Sequence, residues 1–524
     1  MKKILISLLA CASVLTSCDM DLAPIGSLDN ENAVENVSDC LQFRNGLYTN
    51  LRSMGTAIGT ISIQGDEFYG IIINGNVLSG VTSGNILSND NDLAGVWSSC
   101  YGIIANTNYF LGLAPEILEN PELSTEDHQR ISWYIGEAKF IRAYAYYLLA
   151  DRYCNSYTNI DPTSTVTGVP ITTTYSPSGD QSVYPGRSSL DDVYTLIETD
   201  LKEAYEAISE WENIPDYEDP HTGQIEIVHK QYLVSQTPIL NSWVVKAMQC
   251  RLALLKGDYP SAKTLANEII GSPLYSLCSR SDYAAMWSTD TSNEIIFMPY
   301  NDNNSEPAAA LGTNWNSTDP QNAYFIPTAE VTNDLYTLRD IRLSTFIGSR
   351  NLLVDGSTVT TPIFNKYPGN ANLQVNQNGA NELRNKSKMF RLSEIYLILA
   401  EACYETGDES GANKALTDLR VQRIQRYASS AVDYSGTELR DQIRLERRRE
   451  LIGEGFRISD LRRWGLGFER TNVSYSNPEV ANIVVVASRI NYTPGDHRYV
   501  WPIPSDEMEV NPQLRGQQNP GYGN

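Results

Sequence analysis

Residues 243–270 read W-V-V-K-A-M-Q-C-R-L-A-L-L-K-G-D-Y-P-S-A-K-T-L-A-N-E-I-I, and residues 393–420 read S-E-I-Y-L-I-L-A-E-A-C-Y-E-T-G-D-E-S-G-A-N-K-A-L-T-D-L-R. Apolar residues recur in both at three- and four-residue steps, which is the period of an amphipathic helix. A Gly-Asp pair, at Gly257 and at Gly407, interrupts each stretch and predicts that one helix ends there and another begins. An alanine five residues after each glycine allows the second helix to pack closely. Both stretches therefore predict helical hairpins of the tetratricopeptide kind.

Further helical patterns lie on either side of these hairpins. The apolar period predicts a long helix near 131–154 that packs on a second helix near 188–210, with Ser188 or Ser189 as its N-cap. The pairs near 390–425 and 437–463 extend the helical part towards the C-terminus. We therefore expect a mainly α fold, a helical-repeat scaffold resembling tetratricopeptide repeats.

The repeats are not continuous. Tetratricopeptide units recur about every 34 residues, whereas the two Gly-Asp breaks lie 150 residues apart. Segments rich in Gly, Asn, Ser and Asp lie near 60–95 and 275–388, and the second contains the strand-like run N-E-I-I-F-M-P-Y. We expect loop-rich insertions with a few short strands there, and loops carried by a rigid scaffold are where binding residues concentrate.

The N-terminus has the pattern of a secretory signal. Residues 1–17 contain Lys2 and Lys3, an apolar run and then small residues, and the segment ends in L-T-S-C. This resembles the bacterial lipobox, in which the cysteine is acylated and becomes the first residue of the mature chain. We therefore predict a signal peptide over 1–17, a lipid anchor on Cys18 and a single body over 18–524 that is tethered to a membrane.

Composition excludes several classes of function. With 63 Asp and Glu against 40 Lys and Arg, the net charge is −23, and a chain this acidic repels the phosphate backbone of nucleic acid. Only four histidines occur, and the sequence contains no H-E-x-x-H, G-x-S-x-G or G-x-x-x-x-G-K motif. These absences disfavour a metalloenzyme and a histidine-based hydrolase, and we expect no bound metal. The six cysteines after Cys18 are expected to be mostly free, buried thiols.

Five blocks of sequence occur in a fixed order along the chain. They are G-E-A-K-F-I-R-A-Y-A-Y-Y-L-L-A-D-R-Y (136–153), S-N-E-I-I-F (292–297), F-R-L-S-E-I-Y-L-I-L-A-E-A (390–402), R-L-E-R-R-R-E-L-I-G-E-G-F-R-I-S-D-L-R-R-W-G (444–465) and Y-V-W-P-I-P-S-D-E-M-E-V-N-P-Q-L (499–514). With the lipobox, these blocks resemble the SusD/RagB family of outer-membrane nutrient-binding lipoproteins over nearly the whole chain.

The resemblance implies both a fold and a function. It implies about four tetratricopeptide units with a loop-rich half that holds the ligand. It also implies a non-catalytic lipoprotein without an obligatory cofactor, anchored in the outer membrane and exposed at the cell surface. Such a protein would capture oligosaccharides and deliver them to a SusC-like TonB-dependent transporter.

Candidate ligand residues are aromatic and amide side chains, because a pyranose stacks on an aromatic face and its hydroxyls bond to amides and carboxylates. Trp315 stands between Asn314 and Asn316 in a loop without apolar periodicity, which favours a ligand platform. The further candidates are Tyr300, Asn301 and Tyr324 in the larger insertion, and Asp66, Tyr69 and Asn74 in the smaller one.

Other interpretations remain open at this stage. Some family members resemble peptide-uptake proteins, so the ligand could be a peptide. Sequence does not exclude a glycosidase, which needs two suitably spaced carboxylates, and helical repeats by themselves fit a protein-binding scaffold. The arginine-rich block 444–463 alternates with glutamates at helical spacing and indicates a structural ion-pair lattice rather than an anion site.

Overall fold

The structure is a computed structural model, and it describes residues 34–73, 79–218, 220–222, 224–300, 306–376, 379–428 and 433–523. The predicted signal peptide, the predicted lipidation site Cys18 and the candidate ligand residues Asn74 and Asn301 lie outside the described residues. Within those ranges, no helix is both long enough and apolar enough to cross a membrane.

Helices form most of the described body. They are α1 (Val37–Thr56), α2 (Gly59–Gln64), α3 (Ser79–Ser83), α4 (Asn91–Leu118), α5 (Thr125–Tyr153), α6 (Leu190–Glu212), α7 (Ser242–Lys256), α8 (Tyr259–Ile270), α9 (Tyr283–Ser288), α10 (Ala329–Asn333), α11 (Ile341–Phe346), α12 (Leu392–Glu405), α13 (Glu409–Val421), α14 (Gly436–Leu451), α15 (Arg457–Arg463), α16 (Val480–Ile483) and α17 (Ser505–Val510).

The described strands are short and pair two by two. They are β1 (Phe68–Gly70), β2 (Tyr217–Glu218), β3 (Ile225–Glu226), β4 (Ile295–Phe297), β5 (Phe325–Pro327), β6 (Ile347–Val354), β7 (Ser357–Phe364), β8 (Phe390–Arg391), β9 (Phe468–Arg470) and β10 (Ile490–Tyr492). The antiparallel pairs are β1 with β5, β2 with β3, β4 with β8, β6 with β7 and β9 with β10. The prediction of a mainly α fold with a few short strands is confirmed.

Each Gly-Asp pair separates two helices. Gly257 follows α7 with φ of 78°, and Gly407 follows α12 with φ of 79°, a left-handed conformation that glycine adopts without a steric penalty. The next residue caps the following helix, because Asp258 accepts a hydrogen bond from the amide of Ser261 and Asp408 does the same for α13. The two turns are also joined, since Lys263 Nζ lies 2.8 Å from the Asp408 carboxylate.

The long helix α5 is the centre of the scaffold. It packs against α1, α4 and α6, so that its residues from Phe140 to Tyr153 are all buried although their sequence includes charged side chains. Two of the buried charges have partners on neighbouring helices: Glu137 pairs with Arg44 of α1, and Arg142 pairs with Asp200 of α6 at 2.7 Å. Neighbouring helices therefore cover faces of α5 that would otherwise be exposed.

The arginine-rich block forms a buried ion-pair lattice, as predicted. Three of its carboxylates lie on α14 or just after it and pair with cations from other segments, and the arginines of the block pair with carboxylates from further segments. The pairs are Glu446 with Arg342 and Arg420, Glu450 with Arg342, Arg391 and Arg423, Glu454 with Lys366 and Arg391, Arg447 with Asp460, Arg448 with Asp66 and Glu330, and Arg463 with Glu401 and Asp460. The lattice joins the helical repeats to the insertion 275–388.

The cysteines agree with the prediction of free, buried thiols. Cys40, Cys100, Cys154, Cys250, Cys278 and Cys403 are all buried and unpaired with one another.

Candidate functional site

A polar groove opens between α1 and the loops that flank β4. Its larger cavity has a volume of about 740 Å³, which is within the usual range for ligand sites. A smaller cavity of about 210 Å³ adjoins it. The two cavities share the lining residues Thr49, Arg52, Tyr300, Glu306 and Lys386.

One wall of the groove is a polar stripe on α1. Asn45, Thr49 and Arg52 follow one another at three- and four-residue steps, and Thr56 continues the stripe into the smaller cavity. The opposite face of the helix packs into the core through Leu47, Leu51 and Met54. The helix begins at the N-cap Asn36, whose side chain accepts hydrogen bonds from two backbone amides. The wall is therefore part of a rigid element.

A second wall comes from the segment that connects β3 to α7. Tyr232, Gln236, Pro238 and Ile239 line the larger cavity. The segment is held against β4, since the Gln236 amide donates to the carbonyl of Ile295 at 2.8 Å. Backbone pairing thus places these side chains opposite α1.

Tyr300 lies between the two cavities, immediately after β4. The Lys386 ammonium stands 4.0 Å from the centroid of its ring, a cation–π contact that orients the half-buried ring. Tyr300 therefore supplies an aromatic surface to both parts of the groove.

Charged groups in the groove are also held in place. Arg52 pairs with Glu306, and Thr49 Oγ1 donates to the Glu306 carboxylate at 3.1 Å. Arg52 Nη2 also donates to Thr49 Oγ1 at 2.9 Å. The groove thus combines one aromatic ring with oriented donors and acceptors, which suits a neutral, hydroxyl-rich ligand.

The structure overturns the prediction that Trp315 is a ligand platform. Its side chain has 0% exposure and stacks on Tyr367, with ring centroids 5.4 Å apart and planes at 6°. Phe364 meets it edge-on at 4.9 Å. The loop has no apolar period because these aromatic partners come from distant parts of the chain, and Trp315 belongs to the core.

The neighbours of Trp315 do not reach the groove either. Asn316 is buried, and its Nδ2 donates to the carbonyl of Phe364 at 2.6 Å. Asn314 ends a 3₁₀ turn and its carboxamide lies against Gly59. Tyr324 is half-buried and packs on the main core. The sequence prediction of ligand contacts is therefore wrong for buried Asn316, and Asn314 and Tyr324 lie away from the described groove lining.

Asp66 and Tyr69, the two described candidates of the smaller insertion, make contacts that stabilise the fold. Asp66 is buried between Arg448 and Arg457, and these guanidinium groups hold the pKa of its carboxyl well below the usual value. Tyr69 is buried and donates to the carbonyl of Asn472 at 3.1 Å, and burial raises its pKa to about 12. Their assignment as ligand residues is wrong, because partners within the protein already use their polar groups.

The buried carboxyl of Glu67, the residue after Asp66, should make the free energy of unfolding depend on pH. Burial first, and then the charge of Asp66, raise its pKa from 4.5 to about 7, and its Oε1 has no hydrogen-bond partner among the described residues. The folded protein therefore binds this proton more tightly than the unfolded chain. Stability that is full below about pH 4.5 should fall as the pH rises to about 7.

The substitution Glu67→Gln should remove the fall in stability that the wild type shows as the pH rises. We expect the variant to be about 2–3 kcal/mol more stable than the wild type at pH 8 and to differ little at pH 4.5, as measured by urea unfolding. Glu206→Gln, on the exposed face of α6, is the control and should follow the wild type at both pH values. Equal pH dependence of Glu67→Gln and the wild type would contradict the prediction.

Several groove residues have no distinctive signal in the sequence. Asn45, Thr49 and Arg52 form a polar stripe like that of any solvent-facing helix, while Tyr232, Gln236 and the other lining residues are single polar or aromatic positions in loops. The helical period could have located the stripe but could not have assigned it to a groove.

Within the described ranges, no three His, Cys, Asp or Glu side chains are grouped as a metal site requires.

Two family models match the sequence. The model described as "SusD family" matches residues 351–522, and the one described as "Starch-binding associating with outer membrane" matches residues 40–219. Together they cover about two thirds of the chain. No curated protein matches it.

Solved structures share the fold over nearly the full length. A SusD superfamily protein from Bacteroides thetaiotaomicron is 24% identical with a TM-score of 0.72, over 93% of this chain and 100% of that chain. A putative sugar binding protein from Bacteroides vulgatus has the same identity and TM-score, over 94% and 100% of the two chains. A laminarin binding SusD-like protein is 19% identical with a TM-score of 0.63, over 93% and 100%. Residues 351–522 thus match the SusD family and residues 40–219 the family described as starch-binding and associating with the outer membrane, in a chain that shares the fold of SusD superfamily proteins over 93% of its length.

Proposed function

We propose that this protein is a cell-surface lipoprotein that binds oligosaccharides in the groove beside Tyr300 and delivers them to a SusC-like TonB-dependent transporter. The groove itself is the observation that carries this proposal. It has the volume of a ligand site and presents an oriented aromatic ring next to fixed polar groups. The laminarin binding relative supports a carbohydrate as the ligand class.

The lining fits the chemistry of sugar recognition. The C–H side of a pyranose packs on an aromatic ring, and the hydroxyls around its rim both donate and accept hydrogen bonds. Tyr300 would supply the ring. Asn45, Thr49 and Gln236 carry groups that donate as well as accept, so the groove can satisfy hydroxyls in either role.

The lining also favours binding without catalysis. Glu306 is the single carboxylate among the described side chains that line the two cavities, and it is paired with Arg52. Hydrolysis of a glycosidic bond generally needs two carboxylates, one of them available as an acid. A glycosidase would therefore need groups that this described lining does not supply.

The membrane anchor and the transporter belong to the same proposal. The lipobox that ends at Cys18 supports lipidation, and the matched model is described as associating with the outer membrane.

Cys18→Ala is the test of the anchor: we expect the variant to be lost from the membrane fraction. Recovery of the variant in the outer membrane would contradict lipid anchoring through this residue.

Tyr300→Ala tests the groove. Calorimetric titration of residues 19–524 against neutral and acidic oligosaccharides and mixed peptides should identify the ligand. For a bound glycan we expect the variant to lose about tenfold in affinity, because one stacking face is removed.

Tyr217→Ala is the matched control for that experiment. Tyr217 is 63% exposed on β2 and does not line the groove, so its loss should leave affinity unchanged. Equal affinity of Tyr300→Ala and the wild type would reject the groove as the glycan site. Binding of peptides with a silent glycan panel would instead support the peptide-uptake alternative.

A further inference from the structure

A small, partly enclosed cavity adjoins the smaller cavity of the groove. Its volume is about 50 Å³, enough for a few atoms but not for a sugar. Ser387 lines both this cavity and the groove, and its hydroxyl donates to the carbonyl of Gly55 between them. The wall also includes residues of α1, α5 and α7 and the segment 454–456.

The polar side chains around this cavity are mainly hydrogen-bond donors. The cationic ones are Arg152, Arg251 and Lys388, and two hydroxyls come from Tyr144 and Tyr147. The carboxylate in the wall is that of Glu454, and it is engaged by Lys366 and Arg391. A molecule in the cavity therefore meets more donors than acceptors.

The charge of Arg152 is not balanced within the described protein. Arg152 is 5% exposed, and among the described residues its guanidinium donates only from Nη1, to Asp151. The same carboxylate also serves Arg462, whose Nη2 lies 3.2 Å from it. Two buried guanidinium groups thus share one carboxylate, which leaves a net positive charge.

The other two cations of the wall differ from Arg152 in this respect. Arg251 has its own carboxylate in Glu394 at 2.7 Å, and Lys388 has Asp290 at 2.6 Å. Burial lowers the pKa of both Arg152 and Arg462, which is the direction expected where counter-charge is deficient. The cavity lies where Arg152 lacks an acceptor, since Nη2 is close to Gly455 in the cavity wall.

We propose that this cavity is a binding site for a small monovalent anion, chloride, held by the Arg152 guanidinium and the hydroxyls of Tyr144 and Tyr147. A buried guanidinium that shares its only carboxylate with a second guanidinium is incompletely compensated, and an anion in this position supplies additional counter-charge. The site is independent of the glycan groove in its chemistry, and binding there stabilises the junction of α1, α5 and α7.

Bromide can take the place of chloride, and its anomalous scattering would locate the bound anion directly. In crystals of residues 19–524 grown with bromide as the halide, we expect an anomalous peak in the cavity within hydrogen-bonding distance of Arg152. Density that refines as water, with no anomalous peak, would overturn the proposal.

Thermal unfolding in solution gives a second test, with sodium chloride compared with sodium gluconate at equal ionic strength. Chloride should raise the Tm of the wild type in a saturable way, by about 1–3 °C. Tyr147→Phe should raise the half-saturating chloride concentration about threefold to tenfold, because a donor in the cavity wall is lost.

Tyr146→Phe is the matched control on the same helix. The Tyr146 hydroxyl bonds to the backbone of Thr172 and does not line the cavity, so this variant should keep the chloride dependence of the wild type. Identical Tm values in chloride and gluconate for all three proteins would contradict the proposal.

Discussion

Trp315→Ala should lower the free energy of unfolding by about 3–5 kcal/mol. The indole is fully buried, stacked on Tyr367 and flanked by Phe364 and Phe68. Removing it leaves a cavity among aromatic rings that other side chains cannot fill without moving the strands β1 and β7. Denaturant unfolding of residues 19–524 measures the effect.

Trp243→Ala is the control for this substitution. Trp243 is half-buried on α7, where its contacts include the Lys246 ammonium at 4.9 Å, and we expect a loss of about 1 kcal/mol or less. A folded Trp315→Ala protein should still bind glycan within about twofold of the wild type, because Trp315 does not line the groove. Normal stability combined with lost binding would restore Trp315 as a ligand platform.

Glu450→Gln should cost about 3–5 kcal/mol of stability. The Glu450 carboxylate accepts hydrogen bonds from Arg342, Arg391 and Arg423 at 3.0 to 3.2 Å, and these guanidinium groups hold its pKa well below the usual value. The neutral amide cannot compensate three buried positive charges, and its own N–H groups would point at cations. Chemical unfolding at pH 7 gives the magnitude.

The matched control is Glu198→Gln, which removes a pair with Lys256 at 2.8 Å on the surface. Solvent screens that pair, so we expect a change of about 0.5 kcal/mol or less. If the two glutamates gave equal losses, the interpretation of the arginine-rich block as a buried structural lattice would be wrong. Glycan affinity of folded Glu450→Gln should equal that of the wild type.

The helices and the ion-pair lattice could be predicted because their signals are local. The period of three and four residues needs only the residues of one helix, as in the stretches around Gly257 and Gly407, and the turn conformation of these glycines follows from the Gly-Asp pair itself. The alternating Arg and Glu residues of 444–463 likewise predicted ion pairs. Their partners Arg342, Arg391 and Arg423 could not be identified from the sequence, since they lie in segments distant along the chain.

Which candidate residues line the groove could be predicted only in part, because exposure is a property of the whole fold. Tyr300 and Trp315 are both aromatic residues in polar loops, and their local sequences do not distinguish them. In the tertiary structure, Tyr367 and Phe364 enclose Trp315, whereas Tyr300 lines both cavities of the groove.

By itself, the sequence determined the helical class, the turns between paired helices and the presence of a charge lattice, because each depends on periodicity or on adjacent residues. Tertiary structure alone decided which loop residues are buried and which side chains share a cavity. The α1 stripe faces Tyr232 and Tyr300 only because contacts between remote segments bring them together, and the energy of those contacts is not encoded in any single stretch of the chain.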